Sequence, residues 1–454
     1  MLEERFAETC ESQPELLAHH YTEAGLTAPA IPYWQRAGER AVERSATAEA
    51  AVHLSRGLAL LRTLPPTPEH AKQELALLLP LGVALMATRG YAATEVMETH
   101  TRARALCEQI GEIPQLFRVL QGLAGAYITR AEYRMAKELG EQLLTLAQNG
   151  QDPALLPQAH HVLGGALFYL GEFASAHTHL MRGIALYDPR QFRSDAFLYG
   201  AWVGCLGFAA LALWYLGYPE QALQKIQQAI ALAQELSNPY ILTSALHFAA
   251  WLHLIRGEAH AALERVDAEI AISRDQGWPL YVSLATALCG WALVQLGQVE
   301  EGIAQIRQGL TAYRALGENG LSLMLSHSAE VFARLGRTEE GLTVLAEAFM
   351  VMEKNDERIY QAELYRLKGE LLLSSAITGA LEAEACFHQA VAIAQRQGAK
   401  SLELRAVVSL SRLWQQQGKQ EEARQRLAEI YGWFTEGFDT ADLQAARTLL
   451  HALS

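Results

Sequence analysis

A small residue followed five positions later by a second small residue recurs along this chain between apolar runs, and that recurrence confines it to a repeat architecture. The pairs are Gly171/Ala176, Gly217/Ala222, Gly257/Ala262, Gly297/Gly302, Gly336/Gly341 and Gly418/Ala423. Ala131/Ala136 and Ala380/Ala385 fill the same slot with Ala in place of Gly. The anchors at 131, 171, 217, 257, 297, 336, 380 and 418 are spaced by 40, 46, 40, 40, 39, 44 and 38 residues. A repeat array grows by adding units to one continuous core. The 454 residues therefore need not split into the roughly three domains that length alone suggests.

Seven residues before six of the anchors stands another small side chain: Ala124, Gly164, Ala210, Ala250, Gly290 and Ala329. A Gly inside a helix costs up to about 1 kcal/mol, so it marks a place where helices approach closely. The unit this predicts is helix A, a turn at the anchor, then helix B carrying a small residue where it crosses A. Asp152-Pro153, Asp188-Pro189, Asn238-Pro239 and Trp278-Pro279 supply turn signals after helix B, because proline cannot continue a helix.

Composition narrows the function classes. Half the residues are hydrophobic and 19% are charged, which excludes a disordered polyelectrolyte. A net charge of −13 argues against nucleic-acid binding, which needs a basic stripe to displace counterions. Cys10, Cys107, Cys205, Cys289 and Cys386 lie far apart with no C-x-x-C pair, and are expected to be buried thiols of a reducing compartment. The charged start MLEERFAETC does not have the form of a signal peptide. A cytoplasmic protein is expected.

The unit resembles the tetratricopeptide repeat: in the anchor-217 unit Ala210 is the small residue of helix A, Leu213 takes the Tyr slot, and Ala222 and Ala229 are the alanines of helix B. Its length, about 40 residues against the usual 34, is similar to the longer repeats of signalling ATPases and bacterial transcription activators. The ends resemble something narrower. Leu17-Ala18-His19-His20-Tyr21-Thr22-Glu23-Ala24-Gly25 with Ile31-Pro32-Tyr33-Trp34-Gln35-Arg36-Ala37-Gly38, and Tyr431-Gly432-Trp433-Phe434-Thr435-Glu436-Gly437-Phe438-Asp439-Thr440-Ala441-Asp442-Leu443, look like the two ends of one repeat region. That region follows the ATPase module in bacterial proteins that pair an adenylate/guanylate cyclase domain with a STAND-type ATPase. The resemblance implies an all-α, right-handed solenoid of antiparallel helix pairs. It divides the chain into an N-terminal helical pair or cap over 1–45, an array over 46–435 and a C-terminal capping helix over 436–454. No G-x-x-x-x-G-K-[ST] loop is present, so the family's catalysis is not expected here, and neither a cofactor nor enzyme activity is expected.

In tetratricopeptide arrays helix A lines the concave face. Carried onto this sequence, the groove positions are His161, Phe168 and Tyr169, then Trp214 and Tyr215, His247 and Trp251, Trp291 and Gln295, and finally Ser326, Glu330 and Arg334. Such a surface, aromatic at its centre and polar at its C-terminal flank, suits recognition of a peptide or protein partner, the chain's own ATPase or cyclase domains among them. The same rings could instead pack between neighbouring repeats. A small-molecule sensor with its ligand near Trp214, His247, Trp251 and Trp291 is the alternative function, and self-association through Leu2, Phe6, Leu16 and Leu17 is a third. The Lys/Asn clamp for a terminal carboxylate is missing, its slots holding Gly207/Leu211, His247/Trp251 and Ala287/Trp291.

Two uncharged stretches, Ala196–Pro219 and Gln276–Val299, are long enough for a membrane span, but both occupy the helix-A slot and are expected to be buried solenoid helices. His161 with His177 or His179 could meet across a hairpin, though no further ligand completes a metal set. The acid pairs Glu300-Glu301, Glu339-Glu340 and Glu421-Glu422 follow anchor turns, where carboxylates offset the positive end of the helix dipole. No G-x-S-x-G, H-E-x-x-H or G-x-G-x-x-G pattern occurs.

Overall fold

The computed structural model describes residues 13–44, 46–150, 155–187, 196–317, 320–375 and 379–454, apart from the side chains at 196–199, 334 and 375. Among these residues the chain is all-α, an α-solenoid of antiparallel helix pairs, with 22 helices and no strand. It forms two compact units, Met1–Arg130 and Ala131–Ser454.

The first unit holds α1 (Pro14–Glu23), α2 (Thr27–Glu43), α3 (Thr47–Leu61), α4 (Pro68–Arg89), α5 (Thr94–Ile110) and α6 (Ile113–Thr129). The motif residues at its start are packing residues. Trp34 is buried with Ala18 and Ala30, and its indole N–H donates to Thr22 Oγ1 at 3.1 Å. Further along, the imidazole of His100 on α5 is wedged between Gly82 of α4 and Gly122 of α6, where an added Cβ would lie 2.6 and 2.3 Å from the ring. Its Nδ1 lies 2.9 Å from the Val96 carbonyl oxygen. By length and composition α4 is apolar enough to cross a membrane, with a mean hydropathy of 1.2 and one third of that window buried. Of the two stretches singled out in the sequence, Pro279–Gln295 and the described part of the first (Gly200–Leu216) form shorter helices.

The second unit runs α7 (Tyr133–Asn149), α8 (Leu156–Tyr169), α9 (Phe173–Ala185), α10 (Ala196–Leu216), α11 (Pro219–Glu235), α12 (Pro239–Arg256), α13 (Ala259–Asp275), α14 (Pro279–Gln295) and α15 (Val299–Arg314). It continues with α16 (Leu321–Arg334), α17 (Thr338–Asn355), α18 (Gln361–Ser375), α19 (Ala380–Gln397), α20 (Lys400–Gln416), α21 (Gln420–Tyr431) and α22 (Ala441–Ala452). The anchors are its A–B turns. Gly171, Gly217, Gly257, Gly297, Gly336 and Gly418 all have positive φ, and a B helix starts two residues after each. The small residue five positions on is buried in every one of these repeats. The pair Ala380/Ala385 is out of phase: α19 already begins at Ala380, Ala385 is exposed, and the small residue in the packed slot is Ala383. Pro239 and Pro279 open helices α12 and α14, where a missing N–H costs nothing. Pro153 and Pro189 lie outside the described residues.

Successive anchor turns are clasped by chain nearly 190 residues or more further on. Arg358 N–H donates to the Tyr169 carbonyl at 2.8 Å, and Gln397 Nε2, beside Gly171, donates to the Arg358 carbonyl at 2.8 Å. Ser401 Oγ donates to the Trp214 carbonyl at 2.5 Å, and the Trp433 ring covers Gly217. Glu436 accepts the Glu220 and Gln221 backbone N–H groups at 2.9 and 3.1 Å, while Glu220 accepts the Gly437 N–H at 2.9 Å. A carboxylate at a helix N-terminus meets unpaired donors and the positive end of the dipole. Arg134 pairs with Asp356 at 2.6 Å. Within the second unit, late repeats are therefore seated on the turns of early ones.

The repeat also supplies an internal comparison. Gly277 follows the C-cap of α13 at φ 70°, and 40 residues earlier the same slot after α11 holds Ser237 at φ 50°. Ser237 is exposed, so only the left-handed backbone penalty is at stake. Ser237→Gly should stabilise the second unit by about 1 kcal/mol, and Gly277→Ser should destabilise it by a similar amount. Thermal unfolding of the two variants beside the parent checks both signs.

Candidate functional site

The inner aromatic positions are filled rather than open. Phe168, Tyr169, Trp214, Tyr215, Trp251 and Trp291 are all buried. Phe168 on α8 reaches past α10 to Trp251 on α12, with ring centroids 6.0 Å apart, and lies 5.7 Å from Tyr215. Tyr215 stacks on Phe173 at 4.4 Å. Trp291 stacks on His327 at 3.4 Å, and His327 Nε2 lies 3.2 Å from the Tyr360 hydroxyl. Glycines make the closure possible. An added Cβ on Gly207 would sit 2.3 Å from the Phe248 ring, and on Gly204 2.2 Å from His161. α10 thus offers two bare patches, into which His161 of α8 and Phe248 of α12 drop, and here the rings pack between repeats.

His161, His247, Gln295 and Glu330 are half-buried, and the first three engage neighbouring helices. His161 packs on Phe208 at 6.1 Å. His247 Nδ1 lies 3.1 Å from Oε1 of the fully buried Glu269, and Gln295 Nε2 donates to the Leu254 carbonyl at 3.1 Å. Ser326 is buried, its hydroxyl donating to the Leu323 carbonyl at 2.6 Å. Glu330 lies near Glu363 and Arg366, and the side chain of Arg334 is outside the described set.

A buried charge network, which the sequence reading did not single out, sits against this layer. Arg366 holds Glu363 through two bonds of 2.9 and 2.6 Å and also donates to Glu370. Arg405 donates to Asp442 at 2.8 Å and to the Ile255 carbonyl at 2.8 Å, with its guanidinium 4.9 Å from the centre of the Trp214 ring. Burial alone would raise the Glu363 carboxyl, but Arg366 and Arg405 hold it below its ordinary value. The signal was an E-x-x-R spacing, Glu363 to Arg366, which puts both charges on one face of α18.

Glu357 is buried beside the first turn of α16. Among the described residues neither carboxylate oxygen nor Ser322 Oγ makes a hydrogen bond of normal geometry, although the Ser322 hydroxyl and the N–H groups of Ser322 and Leu323 are the carboxylate's nearest donors. Burial pushes the Glu357 carboxyl up to about 7, against the opposing pull of the Ser322 hydroxyl and the Ser322 and Leu323 N–H groups. The folded state thus holds this proton more tightly than the unfolded chain. The stabilisation is complete below about pH 4.5 and is lost as pH rises through about 7, by about 3 kcal/mol. Burial acts oppositely on His327, held at about 3, and on His160 and His161, held at about 4: their contribution is present above about 6.5 and lost on acidification through those values. Glu357→Gln should therefore gain melting temperature relative to the parent at pH 8 more than at pH 5. An equal offset at both pH values would contradict the assignment.

The histidine expectation is met differently from the spacing. His160, not His161, faces helix B, its Nδ1 lying 3.0 Å from Nδ1 of His179. Among the described residues no three His, Cys, Asp or Glu side chains converge to hold a metal.

A slot of about 570 Å³ lies between α15 and α17 above α16. Its apolar lining is Ile303, Ile306 and Leu310 of α15, Leu325, Val331 and Phe332 of α16, and Val344 of α17. Its rim carries opposite charges on opposite walls, Arg307 and Arg314 against Glu339, Glu340 and Glu347. Two exposed ion pairs cross it, Arg307 to Glu340 at 3.9 Å and Arg314 to Glu347. Glu339 and Glu340 also stand in the first turn of α17, as their position after an anchor implied. The sequence held one further sign of a change here. Sixteen residues before its anchor this repeat has Gly320 where the preceding one has Tyr281, and α16 spans 14 residues against 17 for α14.

No family model matches the chain. An uncharacterized protein of Rhizobium meliloti (strain 1021) is 25% identical over 403 residues, covering 87% of this chain. The chain spans 39% of the length of that relative. Among solved structures, a Rap protein complexed with Competence and Sporulation Factor superposes with a TM-score of 0.53 at 12% identity, over 88% of this chain and 99% of that one. A STAND protein with a tetratricopeptide repeat sensor from Pyrococcus horikoshii matches with a TM-score of 0.43 at 14% identity, over 84% of this chain and 55% of that one. The first of these likenesses shows the fold, a tetratricopeptide-like helical solenoid.

Proposed function

We propose that the chain is a non-catalytic binding module that captures a peptide or protein segment. The slot between α15 and α17 carries this reading. Its apolar floor and its exposed charges of both signs on opposite walls support the reading, since exposed pairs exchange partners at little cost, whereas the charges of the inner layer are largely withdrawn from solvent. His327 of the floor helix, stacked on Trp291 and bonded to Tyr360, helps hold that helix in place, and preorganisation lowers the entropic cost of capture. The Rap protein, solved in complex with Competence and Sporulation Factor, is an instance of the same fold holding a partner. The wider setting, a regulatory arm of a cyclase-linked STAND ATPase, rests on the resemblance at Leu17–Gly25 and Tyr431–Leu443. In that setting partner binding would bias an attached ATPase by favouring one arrangement of the repeats. A small-molecule sensor is the second reading, favoured by a cavity volume within the range of ligand sites.

The test is selection of a displayed random-peptide library on the whole chain, with a slot-blocked variant as counter-target. Thr311→Trp with Thr343→Trp fills the slot from two exposed lining positions. Peptides held by the parent and lost by the variant support the module. Stabilisation by metabolites alone, abolished by the same variant, moves the function to the sensor. Binding that ignores the variant removes the slot from either role.

A further inference from the structure

The two ion-pair rungs that cross the slot have a register. Arg307 and Arg314 are seven residues apart on α15, and Glu340 and Glu347 are seven apart on α17. Seven residues are two helical turns, about 10.5 Å along each wall. Between and below the rungs the lining is mainly apolar, from Ile303 to Leu310 on one wall, Val344 on the other and Leu325, Val331 and Phe332 beneath, with Thr311, Thr343 and Ser328 as its polar members. From Ile303 to Arg314 the slot runs for about three turns, about 16 Å. A heptad-spaced pair of cations facing a heptad-spaced pair of anions across an apolar seam is the flanking pattern of a helical coil that lacks a strand.

We infer that the slot takes an amphipathic helix of about three turns, with an apolar seam, carboxylates along one flank and ammonium or guanidinium groups along the other. The inference rests on the binding-module reading and names its partner. The seam side chains enter the cavity while the helix backbone lies above it. The acidic flank pairs with Arg307 and Arg314, and the basic flank with Glu340, Glu347 and the neighbouring Glu339. Little is lost in the exchange, because the existing rungs, and the closer Arg337–Glu340 pair at 2.6 Å on the same wall, are exposed pairs on the surface, individually worth between nothing and about 1 kcal/mol. An extended peptide would set its side chains at a spacing of about 3.3 Å per residue, out of step with rungs placed by two helices. An acyl chain would satisfy the floor but leave one charged wall without a partner.

The test uses three labelled 14-residue peptides with the same leucine seam and blocked ends. One carries Glu on one flank and Lys on the other, one Glu on both, and one Lys on both. Fluorescence anisotropy against the whole chain should show the mixed-flank peptide binding about ten-fold more tightly than either uniform one. Reversal of the peptide's direction exchanges its flanks, so the mixed peptide tests pattern without presuming orientation. Arg307→Glu with Arg314→Glu makes both walls acidic at exposed positions and should transfer the preference to the all-Lys peptide. A circular-dichroism melt shows that this variant is folded. Equal binding of all three peptides by the parent, no binding of any, or an unchanged preference in the folded variant overturns the inference. In those cases the binding-module reading still stands or falls on the library selection. Displacement of the mixed peptide by a fatty acid, with no response to the charge variant, would assign the slot to a lipid chain instead.

Discussion

Arg405→Met should be among the most damaging single substitutions in the second unit, lowering its stability by about 3–5 kcal/mol. The guanidinium is the partner of the half-buried Asp442, lies 3.9 Å from the buried Glu363 and caps the buried Ile255 carbonyl, so its removal leaves Asp442 and Ile255 without their donor and Glu363 with Arg366 alone. Burial opposes the charge on Arg405, but Asp442 and Glu363 hold its pKa well above the ordinary value. Lys at this position keeps the charge and loses the planar fork that serves Asp442 and Ile255 together, so Arg405→Lys should lie between parent and Met. Adding Asp442→Asn to Arg405→Met removes the stranded anion and should recover part of the loss. Urea unfolding of the four proteins measures this, and near-ultraviolet circular dichroism reports whether the Trp214 environment goes with it. A loss below about 1 kcal/mol for Met, the size of an exposed pair, would show the network to be far better solvated than its geometry implies.

Much of the array was legible because its signals are local. A left-handed turn that must be followed by close helix crossing demands a small residue at a fixed offset, and the chain writes that demand out at 171, 217, 257, 297, 336 and 418. Where the surroundings are rich in alanine the phase blurs. Ala380, Ala383 and Ala385 all qualify by size, and only the start of α19 shows that Ala383 takes the packed place. Upstream, Gly90 at φ 84° turns the chain one repeat length before Ala131, but Glu95 stands five positions on, so the pair pattern fails and those helices escape it. The site was legible only as composition. The rings of α8 to α14 could be named, but whether they line a groove depends on Trp214 meeting Arg405 and Ser401, contacts of about 190 residues' separation that no local pattern encodes. The slot is a gap among three helices, and its lining becomes a set only once α15 and α17 face each other.

The contact of α14 with α15, one wall of that slot, is also where a single methyl group should do most harm. Gly290 on α14 faces Gly302 on α15, and a Cβ on Gly290 would fall 2.5 Å from the Gly302 carbonyl oxygen and 2.6 Å from the Ile306 nitrogen. The approach is reciprocal, since a Cβ on Gly302 would meet the Gly290 oxygen at 2.6 Å, and one on Gly309 the Ala287 nitrogen at 2.6 Å. These obstacles are backbone atoms, which cannot turn aside as a side chain can. Gly290→Ala should cost about 2–3 kcal/mol, and Gly290→Val more. Gly200 on α10 is the control: among the described residues nothing lies within 4 Å of its would-be Cβ. There the same Gly→Ala change should stabilise by up to about 1 kcal/mol through helix propensity. Opposite signs from one chemical change separate steric crossing from propensity. The Gly290 variant carries a second readout, because relief of the clash must push α15 away from α14, and Ile303, Ile306, Arg307 and Arg314 move with it. Under conditions where the protein is still folded, Gly290→Ala should therefore weaken capture of the mixed-flank peptide while Gly200→Ala leaves it unchanged. If both variants bind as the parent does, the wall is held by something other than its contact with α14.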